Sequence, residues 1–411
     1  MKLSLPIRRL RPPFIRSIPY RLLVFSLCAL CVLCGQLRAQ DFKTLKDGIE
    51  YAEVTKDISG LKVNMNLLRL DLTKVRLDVK HAMDAAIGTE KTSSIATRHG
   101  AFAAINAGFF RLDTSIFAGD SIGTLMIDRK LLSESKSARI AIAIINGPIR
   151  TEINFAHLEM GMMASGGKSG GLQLDGINRQ RLKDEIIVYT PEFGRTTLSE
   201  PNGVEVLVQN GRITSILKGG SNEIPQNGFV ISGDGKEAEP LAKQWEIGTR
   251  VQINLIQPFS MADDDKDIER ERKERGHLSK INDDLIPKIE DITNGVPQLI
   301  KNGKIDITWQ EEKSSKSFVE TRHPRTAVAK LKDGKFLMIT VDGRTESSGG
   351  IGLQDLAEYL LSLGATDAMN LDGGGSTTMF VDGKVVNHPS DKEGERKVSD
   401  AILVTPRIRK K

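Results

Sequence analysis

The stretch from residue 370 to residue 376 carries the densest set of groups that could do chemistry. It reads Asn-Leu-Asp-Gly-Gly-Gly-Ser, so Asp372 stands between an amide and three consecutive glycines. Successive glycines cost backbone entropy, and proteins keep them where φ must be positive or where a ligand has to approach the main chain. N–H donors beside a carboxylate suit an anionic or hydroxyl-rich ligand. The alternative is a tight connection between two strands, in which the aspartate is hydrogen-bonded locally.

Three more polar segments interrupt apolar runs. Residues 106–110 (Asn-Ala-Gly-Phe-Phe) suit either a sugar-binding wall or a buried aromatic corner. Residues 323–326 place Arg325 directly ahead of a predicted strand, where its planar fork could bind phosphate or carboxylate, although a lone arginine is commonly a surface residue. Asp342 and Arg344 end another predicted strand and could form a catalytic pair or an internal salt bridge.

Other catalytic classes find little support in the sequence. Residues 161–169 resemble a phosphate-binding P-loop, but the first glycine is one position too distant and no helical pattern follows. A serine triad through Ser376 lacks the glycine-flanked serine elbow before a helix. Asp120, Asp342 and Asp372 could give oxygen ligands to a divalent cation such as Mg²⁺ or Ca²⁺, so the metal question stays open. No other cofactor is expected.

The first 39 residues predict a signal peptide. They hold seven lysines and arginines and no acidic residue, and an apolar run over residues 22–34 precedes a cleavage position before Gln40. A run of this length is too short to span a bilayer comfortably, so we expect no stable membrane span after cleavage. The sequence therefore predicts export to the periplasm, the cell envelope or the extracellular space.

Composition narrows the chemistry and the partners of the mature chain. All three cysteines lie within residues 22–34, which excludes disulfides, thiolate metal sites and thiol nucleophiles from the remainder. Residues 40–411 hold 51 basic and 53 acidic residues. Nothing in that balance favours a nucleic-acid partner, so none is expected.

The polar segments must be positioned by short strands. Asn-Gly or Asp-Gly pairs, which supply the positive φ angles of type I′ turns, predict four hairpins, centred on residues 210–211, 302–303, 333–334 and 382–383. Further strands are predicted at residues 61–70, 75–79, 138–145, 185–189 and 251–255. The leucine spacing predicts a helix over residues 353–363 that ends at Gly364, and a short helix is expected over residues 93–99.

These elements predict an α+β fold with mixed or antiparallel β-sheet, rich in hairpins and with a few packed helices. We expect residues 40–411 to form a single domain. A charged insertion at about residues 262–291 breaks its composition, and we assign no chemistry to it. The fold must bring polar segments more than 250 positions apart into one cleft if they are to act together.

Taken in order, the polar segments resemble those of the phosphodiester glycosidase family. The resemblance rests on residues 106–110, 177–181, 189–191, 323–327, 342–344 and 370–376, with residues 395–401 similar to the family's last strand. It runs from about residue 61 to residue 404. Ala107 departs from the Asn-Gly-Gly that the family pattern leads us to expect, and the charged insertion is a second departure that could reshape one rim of the cleft.

The resemblance implies hydrolysis of a sugar-1-phosphodiester at the anomeric carbon, which releases a free sugar and a phosphate monoester. It implies Asp372 as the catalytic carboxylate, acting as nucleophile or base, with Asp342 as the second candidate. It also implies that a glycan or sugar phosphate is bound by Asn106, Gly108, Phe109, Arg325, Arg344, Asn370, Gly373, Gly374, Gly375 and Ser376. Two other functions stay open: a non-catalytic envelope protein that binds phosphate-bearing glycans, and a phosphodiesterase that cleaves the P–O bond.

Overall fold

The computed structural model describes residues 41–135, 137–167, 169–256 and 288–408. The predicted signal peptide and most of the predicted charged insertion lie outside the described residues. Within these ranges the α-helices are α1 (Thr92–Arg98), α2 (Ala238–Gln244), α3 (Lys316–Glu320) and α4 (Leu353–Ser362). None of the helices within these ranges is long and apolar enough to cross a lipid bilayer.

Strands make up most of the regular structure. In chain order they are β1 (Lys43–Lys46), β2 (Ile49–Ile58), β3 (Leu61–Leu70), β4 (Val75–His81), β5 (Glu90–Lys91), β6 (Ala103–Asn106), β7 (Leu125–Ile127), β8 (Lys130–Ser133), β9 (Arg139–Asn146), β10 (Thr151–Leu158), β11 (Gly161–Gly166), β12 (Ser169–Leu174), β13 (Gly176–Ile177), β14 (Ile186–Tyr189), β15 (Gly203–Gln209), β16 (Arg212–Lys218), β17 (Gly228–Asp234), β18 (Val251–Ile256), β19 (Asp291–Asn294), β20 (Gln298–Lys301), β21 (Lys304–Ile305), β22 (Arg325–Leu331), β23 (Phe336–Val341), β24 (Ala365–Asn370), β25 (Met379–Val381), β26 (Lys384–Val385), β27 (Lys397–Val398) and β28 (Asp400–Pro406). The strand pairings are antiparallel throughout the described ranges, apart from the parallel pair β13–β14. A β-rich α+β fold with mainly antiparallel sheets is thereby confirmed.

An eight-stranded sheet carries three of the four polar segments. Its order is β1-β2-β3-β23-β22-β24-β20-β21, so β22 lies between β23 and β24. The register places Arg325 opposite Val341 and Ala327 opposite Asn370. Since both pairings are antiparallel, the start of β22 and the ends of β23 and β24 lie at the same end of the sheet. Segments far apart in sequence therefore meet at that end.

A five-stranded sheet, β26-β25-β6-β28-β4, shares a buried core with the eight-stranded sheet. Met338 and Met369 from the larger sheet belong to the same apolar cluster as Ile105 and Ile402 from the smaller one. The fourth polar segment begins at Asn106, the last residue of β6. The shared core therefore fixes the position of this segment relative to the other three.

A second apolar core is built by the remaining strands, of which β7, β8, β9 and β10 also contribute buried residues to the first core. They form the sheets β10-β9-β19-β7-β8, β12-β11-β18 and β13-β14-β17-β15-β16, together with the pair β27-β5. Val188, Val206 and Ile231 are among the buried residues of this core. Of the residues that resembled a P-loop, the described ones (161–167 and 169) lie in the β11–β12 hairpin and not before a helix.

All four predicted hairpins are present, as β15–β16, β20–β21, β22–β23 and β25–β26. The turns at residues 210–211, 302–303 and 382–383 have positive φ at both positions, as type I′ requires. At residues 333–334 only Gly334 has a positive φ, of 81°. Here Leu331 and Lys335 are hydrogen-bonded, so three residues form the loop and a glycine at its last position suffices.

The other predicted elements also correspond to observed ones. The strands expected at residues 61–70, 75–79, 138–145, 185–189 and 251–255 appear as β3, β4, β9, β14 and β18. The two expected helices appear as α1 and α4, and α4 is followed by Gly364 with a φ of 89°. Its leucines lie in the core beneath the eight-stranded sheet.

We expect Leu356→Ala to lower the free energy of unfolding by about 3 kcal/mol, because it removes a fully buried side chain that packs under the sheet. Urea denaturation followed by circular dichroism measures the loss. Leu361→Ala on the same helix is the matched control, since Leu361 is only partly buried and should lose clearly less. Equal losses from both substitutions would contradict this packing of α4.

Candidate active site

Asp372 lies where the two sheets meet, two residues after β24 ends. Its backbone N–H donates to the carbonyl of Ala107 (2.9 Å), and its own carbonyl accepts a hydrogen bond from Asn106 Nδ2 (2.7 Å). Asn106 is the last residue of β6, and Asp372 follows the end of β24. These two bonds therefore connect a strand end of one sheet to a strand end of the other. The main chain of Asp372 is therefore held on both sides by the segment 106–107.

The carboxyl group of Asp372 has a higher pKa than that of an ordinary aspartate. Burial of the group raises its pKa to about 6. The nearby Ser376 hydroxyl, the N–H of Gly373 (2.9 Å from Oδ1) and the charge of Arg396 lower the pKa, whereas the charge of Asp400 raises it. At neutral pH the group is an anion that is readily protonated, which suits a nucleophile or a general base.

The first two glycines of the loop let protein groups approach the main chain. A Cβ atom at Gly373 would lie 2.7 Å from the carbonyl oxygen of Pro324, and one at Gly374, whose φ is 60°, would lie 3.2 Å from Nη2 of Arg344. Their N–H groups are occupied, since Gly373 donates to Asp372 and Gly374 donates to Pro324 (2.8 Å). These two amides hold the loop in shape, and direct binding of a ligand by Gly373 and Gly374 stays a prediction.

Gly375 makes room for an ion pair that the sequence analysis did not assign. Arg396 and Asp391 pair through two hydrogen bonds of 2.7 and 2.9 Å, and a Cβ atom at Gly375 would collide with both side chains. The Gly375 amide makes no hydrogen bond to the residues that the structure describes. Of the three loop amides predicted to face a ligand, only this one has no internal partner.

Arg325, the first residue of β22, carries a buried charge. Its side chain is 1% exposed, and its Nη2 donates to the carbonyls of Phe318 (2.6 Å) and Thr321 (3.0 Å). The guanidinium also lies 4.7 Å from the centre of the Phe318 ring. No carboxylate in the described part of the chain pairs with it, and Nη1 makes no hydrogen bond there. A buried cation without a counter-ion is unfavourable, and an anionic ligand would relieve it.

Burial, together with the neighbouring charge of Arg344, lowers the pKa of Arg325 to about 10, so the group keeps its charge at neutral pH. Arg344 itself is exposed just beyond β23. Its Nη2 lies 3.3 Å from Nδ1 of His323 and makes no ion pair with the described carboxylates. Two guanidinium groups without counter-ions thus flank one side of the glycine loop.

Asp342 is buried beside this loop. Its Oδ1 accepts hydrogen bonds from the backbone N–H of His388 (3.0 Å) and from Asn387 Nδ2 (3.4 Å). The same Asn387 nitrogen donates to the carbonyl of Thr377 (3.0 Å), so a single side chain connects Asp342 to the segment after the glycines. Burial raises the pKa of Asp342. Asp342 and Arg344 both lie in the described part of the chain, and they do not form the internal salt bridge that the sequence left open.

The two predicted asparagines are buried and hydrogen-bonded to neighbouring segments. Asn106 is fully buried, and its Oδ1 accepts hydrogen bonds from Thr326 Oγ1 (2.7 Å) and the N–H of Thr378 (3.1 Å). Asn370 is also fully buried, and its Nδ2 donates to the carbonyl of Val296 (2.7 Å). Both polar atoms of the Asn106 amide are used inside the protein, whereas Oδ1 of Asn370 has no hydrogen-bond partner among the described residues. Contact of these asparagines with sugar hydroxyls stays a prediction.

Of the three remaining predicted site residues, Gly108 and Ser376 are buried and Phe109 is partly exposed. Phe109 is partly exposed, and its ring meets that of Phe318 edge-on with 6.2 Å between centres. Gly108 is buried, its N–H donates to Asp400 Oδ1 (3.1 Å), and a Cβ atom there would lie 3.0 Å from Thr293 Oγ1. Ser376 is buried beside Asp372. Phe109 alone of these presents a surface to a ligand.

Sequence reasoning missed four residues that shape the site. His323 stands within a segment that had been singled out, and Arg396 and Asp400 stand within the segment similar to the family's last strand. A signal for these three was therefore present. Phe318 lies in the short helix α3, where no pattern marked it.

The cation site that the sequence left open has no grouped ligands in the described part of the chain. No cluster of three or more histidine, cysteine, aspartate or glutamate residues there could hold a metal ion. Asp120, one of the proposed ligands, lies near the charges of Glu134, Arg179 and Arg111, and burial raises its pKa to about 7. A divalent cation therefore stays an open alternative and not a prediction.

Comparison with known proteins finds a family match for this chain. Residues 202–405 match the phosphodiester glycosidase family. An uncharacterised protein of Rickettsia conorii is 30% identical over 263 residues, which cover 60% of this chain and 77% of that protein. The chain belongs to the phosphodiester glycosidase family. Its family match contains Arg325, Asp342, Arg344 and Asp372, whereas the segment 106–110 lies outside it and reaches the site through the hydrogen bonds to Asp372.

Two further relatives show how far the likeness extends. Bovine N-acetylglucosamine-1-phosphodiester alpha-N-acetylglucosaminidase is 39% identical over 109 residues, which are 24% of this chain and 20% of the bovine protein. The chain thus matches about a fifth of the length of this curated phosphodiester glycosidase. A Synechocystis protein of known structure superposes with a TM-score of 0.72 at 23% identity, over 90% of this chain and 64% of that one. This likeness shows a shared fold.

We expect Asn106→Ala to lower the free energy of unfolding by about 3 kcal/mol, because it leaves buried partners on Thr326, Thr378 and Asp372 without hydrogen bonds. Urea denaturation measures this. Asn254→Ala is the control, since Asn254 is exposed and bonds only to the side chains of Ser165 and Gln252. Unchanged stability together with weaker ligand binding would instead support a direct sugar contact for Asn106.

Proposed function

We propose that this protein is an exported glycosidase that hydrolyses a sugar-1-phosphodiester by cleaving the C1–O bond. One observation carries the proposal: a carboxylate with a raised pKa, Asp372, adjoins a loop flanked by Arg325 and Arg344, neither of which pairs with a described carboxylate. Membership of the phosphodiester glycosidase family supports the same reaction. The substrate would be a glycan or sugar phosphate.

The leaving group explains why the site is rich in cations. An ordinary glycosidase needs a carboxylic acid to protonate an alkoxide as it departs. Here the bond between the anomeric carbon and a phosphate oxygen breaks, and its electron pair stays on the phosphate. A phosphate monoester has a second pKa of about 6, so it leaves with little or no protonation. The catalytic demand falls on neutralising the departing anion and steadying the positive charge at the anomeric carbon.

The side chains divide between these two tasks. The exposed guanidinium of Arg344 suits the phosphate, and the buried charge of Arg325 adds a positive potential that solvent screens poorly. Asp372 would either attack the anomeric carbon or take a proton from the attacking water. Asp342 is the second carboxylate, held near the loop through Asn387. The ring of Phe109 would stack on the sugar.

Export follows from the predicted signal peptide and remains part of the proposal. The glycine loop, with Arg344 beside it, would suit a phosphate-bearing polymer of a cell envelope as substrate.

A reaction in ¹⁸O-labelled water tests the bond that breaks. Label in the released sugar indicates C–O cleavage, whereas label in the phosphate identifies a phosphodiesterase. Saturable binding of the substrate with no product after long incubation would indicate a glycan-binding protein. An N-acetylglucosamine 1-phosphate methyl diester serves as the first substrate.

We expect Asp372→Asn to lower kcat by about 10²-fold or more, because the amide can neither attack nor accept a proton. We expect Arg344→Ala to lower kcat/KM by about 10²-fold through lost stabilisation of the departing phosphate. Sugar release from the methyl diester is the measurement. Arg195→Ala is the matched control, since Arg195 is an exposed arginine paired only with Glu223. Full activity in the Asp372 and Arg344 variants would remove both residues from the mechanism.

The pKa of Asp372 sets the acid limit of activity. Because the folded protein raises this pKa to about 6, the carboxylate is protonated below that pH and ionised above it. Catalysis that uses the anion should therefore fall as pH decreases through about 6, and not through the value near 4 of an unperturbed aspartate. The pH profile of kcat/KM checks this. A constant rate down to pH 5 would contradict the role assigned to Asp372.

A further inference from the structure

The contact between His323 and Arg344 is unusual because neither partner is acidic. Nη2 of Arg344 lies 3.3 Å from Nδ1 of His323. A guanidinium has N–H donors and no acceptor, so Nδ1 must accept this hydrogen bond and the ring proton must be on Nε2. The imidazole is therefore neutral in this arrangement.

His323 is itself held rigidly by its main chain. Its N–H donates to the carbonyl of Ile351 (3.3 Å), and its carbonyl accepts from the N–H of Ile351 (3.0 Å). Gly350 lies against this segment so closely that a Cβ atom there would be 2.8 Å from the His323 carbonyl group. Burial, with the charges of Arg325 and Arg344, lowers the pKa of the ring and favours the neutral form that can accept a hydrogen bond.

Arg344 depends on this contact for its orientation. It is an exposed residue with a φ of 61°, and its guanidinium lies next to Gly374, 3.2 Å from the position that a Cβ atom would take. No described carboxylate fixes it. An imidazole orients the guanidinium without neutralising its charge, whereas a carboxylate would orient it and cancel much of the charge that an anionic ligand requires.

We propose that His323 is a positioning residue that holds the Arg344 guanidinium against Gly374 as the binding group for the phosphate of the substrate. This rests on the proposed function, and it places the phosphate on the side of the loop that faces β22 and β23. The role of His323 is to act through Arg344 and not to touch the reacting atoms.

Two isosteric substitutions separate this role from direct donation. Asn in place of His323 puts an amide oxygen where Nδ1 accepts, whereas Gln puts its amide where Nε2 donates. We expect His323→Asn to retain most of the activity and His323→Gln and His323→Ala to lose about 10- to 100-fold in kcat/KM, the range for a lost hydrogen bond to a charged group. His99→Ala is the control, since its ring pairs with Asp84 outside the site.

A double-mutant cycle asks whether His323 acts through Arg344. In the Arg344→Ala background, His323→Ala should cause no further loss, because the guanidinium that it orients is gone. Losses that add, or rescue by Gln and not by Asn, would overturn the proposal in favour of a direct role. Melting temperatures of all variants show whether a loss comes from unfolding.

Calorimetric titration with inorganic phosphate separates this proposal from the proposed function. The dissociation constant should increase in His323→Gln and His323→Ala and change little in His323→Asn, whether or not the protein turns over a diester. This pattern in a protein without hydrolase activity would leave the phosphate site standing and remove the reaction. Hydrolysis by a protein whose phosphate affinity ignores His323 would remove the phosphate site and leave the reaction. Failure of the unsubstituted protein to bind phosphate would also overturn the positioning role.

Discussion

The candidate site depends on one backbone junction between two sheets. Asp372 donates to the carbonyl of Ala107 and accepts from Asn106, and Asn106 in turn accepts from Thr326 and Thr378. One buried amide thus connects β6, β22 and the start of β25, whose strands come from separate parts of the chain. Buried amides of this kind are costly when any bond is unmade and specific when all are made. The position of the carboxylate is set by the fold and not by the ligand.

The second feature of the site is charge that the protein leaves uncompensated on one side. Arg396 is neutralised by Asp391, but Arg325 is held by backbone carbonyls and Arg344 by an imidazole. Carbonyl and imidazole acceptors orient a guanidinium while leaving its net charge intact. Burial raises the pKa of Asp372, so this carboxylate is protonated more readily near neutral pH than an exposed aspartate. The site thus combines two guanidinium groups that have no described carboxylate partner with a carboxyl group of raised pKa.

Much of this fold could be predicted from local sequence because hairpin turns carry their own signal. Asn210, Asn302 and Asp382 adopt the positive φ angles that their dipeptides predict. The loop at Asp333 shows the limit, since a dipeptide does not reveal whether two or three residues close the turn. The strands without such turns, such as β10 and β17, had no signal of comparable strength.

The site residues could be found from sequence more readily than their roles. Asn106 and Asn370 were recognised as polar residues at strand ends, but only the tertiary structure shows that the Asn106 amide is fully hydrogen-bonded inside the protein and that Asn370 is bonded through Nδ2. Three consecutive glycines suggested ligand access or positive φ, and the structure adds a steric reason for each, since a carbonyl, a guanidinium and an ion pair come close to them. Which neighbour approaches a glycine is a property of distant segments, and no local pattern encodes it.

The departure from the family pattern at Ala107 follows from the same geometry. Its backbone is not in the left-handed region, so a side chain costs no backbone strain, and its contribution to the site is a carbonyl oxygen. The next residue has no such freedom. A Cβ atom at Gly108 would lie 3.0 Å from Thr293 Oγ1 and 3.1 Å from Asp400 Oδ1. The latter is the oxygen that accepts the hydrogen bond of the Gly108 N–H. The substitution therefore falls at the one glycine of the pair that this site does not need.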